Sequence, residues 1–234
     1  MPRGRLNRRF VVAALVVTLI LANVPYGWVV LYPFKLFATW LHEASHGLAM
    51  LTTGAGIDRL EIFQDTSGII YPYHAVTSSA SAAIACAGYM GTSLFGAGIL
   101  VLGRTERGAR WVLAGFGLAM SAVALGVGNR FGAAALVVEG TLVVAFARWA
   151  RARIALIVVD LLGLQSCINA ILDLRVVFAP MLVGGQPHAA SDADIAASAV
   201  GGSATLWALL WLVWSLGISW LALRLALAPL TEHR

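Results

Sequence analysis

The sequence predicts an all-α integral membrane protein of six to seven transmembrane helices carrying one small β-hairpin. Three observations lead there. Of the 234 residues, 60% are hydrophobic and 12% charged, with a mean hydropathy of +0.84, far from the make-up of a soluble domain. Long, nearly uncharged runs recur at roughly 10–31, 34–52, 79–102, 111–128, 131–147, 153–175 and 203–228, and a spanning helix needs about 17–25 such residues. Between the second and third runs, Ile57 to Phe63 and Ile69 to Tyr71 alternate apolar and polar residues among glycines, the pattern of two short strands.

Taken in order, the chain opens with Arg3, Arg5, Arg8 and Arg9 ahead of an apolar run from Phe10 to Tyr32. That run is longer than a signal-peptide core and lacks a small-x-small cleavage site, so it is expected to stay as an anchor. The second run carries a motif discussed below, and residues 53–78 follow it as the hairpin and loop. Gly88, Gly91, Gly96 and Gly98, then Gly115, Gly117, Gly126 and Gly128, let the next helices approach closely. Residues 179–202, with Gly184-Gly185, Pro187, Asp192 and Asp194, read as a polar loop before the last span. The whole, 1–234, is one polytopic domain without a low-complexity linker. Its orientation stays open, because basic-residue placement favours a re-entrant motif helix whereas that helix's length favours a full span.

The motif is His42-Glu43-Ala44-Ser45-His46. On a helix this spacing sets two imidazoles one turn apart on one face, which is how a protein offers two ligands to zinc. Glu43, about 100° round the helix, is placed to hold or deprotonate a water. Flanking Phe34, Leu36, Phe37, Trp40 and Leu41 put the site in or at the edge of the bilayer.

Zinc needs a third protein ligand. Outside the motif, Glu139, Asp160 and Asp173 lie within apolar runs, where ionisable groups are expensive and functional by default. Asp173 is the first choice, because Gln165, Asn169 and Asp173 recur every four residues as a polar stripe that must face protein or water. Asp160 and an aspartate of the 192–194 segment are the alternatives. His74, His188 and His233 read as loop or surface residues.

Other readings are narrowed by composition. Cys86 and Cys167 sit in separate apolar runs outside any Cys/His pattern, as small buried hydrophobes do. The net charge of +5 is spread over short loops and chain ends, a topology signal rather than a nucleic-acid footprint. Two further classes stay open: a transport or binding protein with Glu139, Asp160 and Asp173 along a path, and a membrane scaffold with a degenerate site. Fifteen arginines against one lysine, with abundant Ala, Gly, Leu and Val, point to a GC-rich bacterium and its plasma membrane.

These residues resemble the site-2 protease-like intramembrane zinc metalloproteases, in particular their compact bacterial peptidase-B-like members without PDZ domains. The matching stretches are Leu41 to Ala49, Gly54 with Gly56 to Ile62, Ala87 to Gly91 with Gly96-Ala97, Cys167 to Leu174, and Ser191 to Ala193. The resemblance implies His42, His46 and Asp173 as Zn2+ ligands, Glu43 as general base and acid, and Asn169 as a group that helps place the substrate. It also implies a membrane-spanning or membrane-associated protein as substrate. The fuller family pattern has a Pro and a Gly around the aspartate, which Asn169-Ala170-Ile171-Leu172-Asp173-Leu174 lacks.

Overall fold

The computed structural model describes residues 8–175, 177–178 and 190–229. Arg3, Arg5, the whole 179–189 stretch with His188, and His233 lie outside them. Helix α1 (Arg8–Asn23) ends where Tyr26 takes a left-handed φ of 62°. Helix α2 (Gly27–Thr52) leaves at 115° to it. Gly27 permits that corner, since a Cβ there would collide with the Leu21 carbonyl. Two helices at such an angle form one broken span or a re-entrant turn rather than two successive straight spans. Among the described residues five later helices are long and apolar enough to cross a bilayer, and the bent pair adds a sixth where it counts as one span.

Strands β1 (Ile57–Ile62) and β2 (Gly68–Pro72) form the expected hairpin, antiparallel with Leu60 opposite Ile70 and Ile62 opposite Gly68. Period-2 alternation sends Leu60 and Ile62 into the core, at 4% and 1% exposure, and Arg59 outward. Arg59 there pairs with Asp58 and Glu61 and lies over the Tyr71 ring. The outer edge of β1 is closed by the segment after the fourth helix. Gly128 donates its N–H to the Leu60 carbonyl at 2.7 Å, and the Asn129 amide brackets the Ile62 backbone, donating to its oxygen at 2.6 Å and accepting from its nitrogen at 3.2 Å. Tyr32 and Thr39 then pin the hairpin turn to α2, donating to the Gln64 and Thr66 carbonyls at 2.8 and 2.6 Å.

Helix α3 (Ser78–Leu102) packs against α2, α6 and the last two helices. Helices α4 (Glu106–Val123) and α5 (Arg130–Trp149) form a hairpin whose backbones meet at Gly117 and Gly140, where a Cβ on either would come 2.7 Å from the other's carbonyl. Helix α6 (Ala152–Leu172) carries the polar stripe. It faces protein, as expected: Gln165 and Asn169 are each 5% exposed, and Gln165 donates to the Thr18 hydroxyl of α1. Where a plain loop was expected, residues 192–200 form helix α7 (Asp192–Val200), followed by α8 (Ala204–Leu227). The reason is local: Ser191 and Asp194 make a capping box, each side chain bonding the other's backbone N–H, and such a pair satisfies two otherwise orphaned donors. Cys86 and Cys167 are free.

Candidate metal centre

Helical spacing delivers His42 and His46 to one face of α2, with Nε2 atoms 3.0 Å apart and ring centroids 4.6 Å apart. The His46 Nδ1 lies 2.6 Å from the Ile84 carbonyl of α3. A carbonyl only accepts, so Nδ1 carries the proton and the Nε2 lone pair of the neutral ring points at the site. Asp192 supplies the third group. Its Oδ2 lies 3.0 Å from His42 Nε2 and 3.3 Å from His46 Nε2.

Asp192 is the first residue of α7, whose other face is anchored by Ala193 and Ala196, both 0% exposed, against Ala85, Tyr89 and Trp211.

With both imidazoles neutral and bare at Nε2, three lone-pair atoms converge at 3.0–3.3 Å, an arrangement that a cation among them stabilises. Ligand atoms about 2.0–2.1 Å from a tetrahedral zinc lie roughly 3.3 Å from each other. Two imidazole nitrogens and one carboxylate oxygen are also a donor set that suits zinc. The residues therefore fit the ion the motif implies. The backbone of α3 is shaped around them: a Cβ at Gly88 would sit 2.5 Å from both Nε2 atoms, and one at Gly91 would collide with Ser45. Close helix packing was the sequence-level explanation for these glycines, and at Gly88 what is packed is the pair of imidazoles.

Among the described residues the group whose ligand atoms lie close enough together to hold a metal ion is His42, His46 and Asp192, and Asp173 is not in it. The geometry favours the 192–194 alternative over the first choice drawn from the sequence. Periodicity placed Asp173 on the right face, for it caps α6 and lines a cavity of about 290 Å3 with Lys35, His42, Glu43, Tyr89 and Thr92. Periodicity does not report which carboxylate reaches two nitrogens on another helix. Asn169 is buried, its Nδ2 has no partner among the described residues, and it does not line that cavity. Asp160 stays half-buried on α6 away from the trio, and Glu139 on α5 has a buried Oε2 with no partner among the described residues. His74 is exposed beside Tyr73.

Glu43 is 5% exposed, lines the cavity beside His42 and takes a backbone hydrogen bond from Ile70. The hairpin sits directly on it, since a Cβ at Gly68 would lie 2.7 Å from Glu43 Cγ. A larger apolar groove of about 860 Å3 runs behind α2, lined by Leu41, Ala44, Leu48, Phe95 and Trp111, and contains none of the motif's polar residues.

The family model described as Peptidase M50B-like matches residues 11–222. Comparison with curated proteins and with solved structures gives no match.

Proposed function

We propose that this chain, which belongs to the Peptidase M50B-like family, is an intramembrane zinc endopeptidase that hydrolyses peptide bonds of membrane-spanning or membrane-associated proteins. The observation that carries this reading is the convergence of His42, His46 and Asp192 on one point beside the buried carboxylate of Glu43. A zinc ion held by those three would polarise a peptide carbonyl and bring the pKa of a water towards about 7.

Glu43 takes a proton from the attacking water and passes it to the leaving amine. His46 is kept in the ligating tautomer by Ile84, and Asp192 is kept in reach by the α7 cap. Because Ile70 turns its N–H to Glu43, the unpaired edge of β2 faces the cavity, where an extended substrate segment can add as a strand. A helical substrate must unwind first, since its backbone groups are bonded to one another. The arginine-rich, lysine-poor composition supports a bacterial plasma membrane as the setting.

The test uses purified protein in detergent. Glu43→Gln keeps about one zinc per chain and loses cleavage of a membrane substrate that wild type cuts; undiminished cleavage by this variant overturns the assignment.

A further inference from the structure

The addition of water to a peptide carbonyl pushes the C=O π pair onto oxygen, and a positioned donor at that oxygen lowers the barrier. The cavity holds several candidate donors, and three of them are already engaged. Thr39 donates to the Thr66 carbonyl at 2.6 Å, Thr92 to the Gly88 carbonyl at 2.8 Å and Ser67 to Asp65 at 2.6 Å. Lys35, Thr66 and Tyr89 donate no side-chain hydrogen bond among the described residues. Lys35 lies two helical turns before His42, about 10 Å along the axis, and Thr66 sits on the hairpin turn. Tyr89 touches the centre itself, its ring 4.8 Å from that of His42 at an interplanar angle of 87°.

The Tyr89 ring is held on a second side by Trp211, stacked at 5.3 Å and 17°. The side chain is 9% exposed, lines the cavity with Glu43 and Asp173, and lies within electrostatic reach of Asp192, Asp173 and Glu43. Two aromatic contacts fix the ring, and among the described residues no protein group engages the hydroxyl, which is the state a preorganised donor needs.

Resting on the proteolytic reading, we propose that the Tyr89 hydroxyl donates a hydrogen bond to the scissile carbonyl oxygen as it gains negative charge, which makes Tyr89 a catalytic residue of this centre. The phenol keeps its proton throughout. Water oxygen bonds to the carbonyl carbon, one water proton passes by way of Glu43 to the amide nitrogen, and the C–N bond breaks to leave a carboxylic acid and an amine.

The experiment compares full-length wild type, Tyr89→Phe and Glu43→Gln for zinc content, unfolding temperature, turnover of a membrane substrate, and binding of a phosphinate peptide as a tetrahedral-anion probe. Tyr89→Phe keeps both ring contacts, so its zinc content, unfolding temperature and KM match wild type. Its kcat falls about 100-fold or more, and its phosphinate affinity falls by about tenfold or more. Turnover and phosphinate affinity within twofold of wild type overturn the role of Tyr89 alone. Loss of zinc in Tyr89→Phe overturns it too, by making the residue a prop for His42. If wild type neither cleaves nor differs from Glu43→Gln, the proteolytic reading itself fails and the Tyr89 role falls with it.

Discussion

Asp192 Oδ2 meets His42 Nε2 at 3.0 Å across 150 residues of chain. The contact joins the first residue of a nine-residue helix to the motif helix, and neither side of it is made by the polar stripe of α6. It distinguishes Asp192 from Asp173, which lines the cavity without belonging to the trio. Asp192→Ala is therefore expected to lower zinc affinity by at least about 100-fold, since even partners outside the ligand set are worth about 10–100-fold. Asp173→Asn keeps the metal. Competition with a chelator, read as zinc retained per chain, decides between them, and the reverse ranking would restore Asp173 as the ligand.

Gly88 and Gly115 should respond oppositely to alanine. At Gly88 a Cβ would lie 2.5 Å from both imidazole nitrogens, while at Gly115 nothing lies within 4 Å. Gly88→Ala is expected to lose most bound zinc and to lower the unfolding temperature. Gly115→Ala is neutral or stabilising by up to about 1 kcal/mol, the ordinary helix preference for Ala. Thermal unfolding of both variants with and without zinc checks the contrast.

The cap of α7 ties a local signal to the site. Ser191→Ala removes the hydroxyl that bonds Asp194, a loss of about 1 kcal/mol for a helix N-cap. Since α7 carries Asp192, that loss should appear as a roughly fivefold weaker zinc affinity while the other helices stay intact. Unchanged affinity would mean that packing of Ala193 and Ala196 alone holds the helix in place.

Asn129 is expected to matter to the hairpin although it lies 67 residues away from Ile62. Asn129→Ala unpairs both backbone groups of Ile62, at about 1–3 kcal/mol for a buried group left unsatisfied. Faster amide exchange confined to residues 57–72, with zinc content unchanged, is the outcome that fits. Equal exchange would show that the Tyr32 and Thr39 bonds suffice.

Much of this was legible from residue order. The apolar runs marked the helices, His42 and His46 declared one face by their spacing, and the alternation from Ile57 to Ile62 declared the hairpin. Gln165, Asn169 and Asp173 were correctly read as facing inward. The α7 cap was also visible, as Ser191 followed three residues later by Asp194, but the glycines and proline before it led to the segment being read as loop. Tyr89 stood inside a family-like stretch but drew no role of its own, because one tyrosine in an apolar helix is the same in sequence whether it faces lipid or an imidazole.

What the chain alone determined is what depends on neighbours a few residues apart: helix periodicity, strand alternation, capping, and the pairing of His42 with His46. Which carboxylate completes the trio, why Gly88 carries no side chain, and which hydroxyl stays unengaged were decided by tertiary structure. The cause is physical: a metal site is specified by distances of about 2 Å, and packing of α3 and α7 onto α2 sets those distances, which no local periodicity encodes.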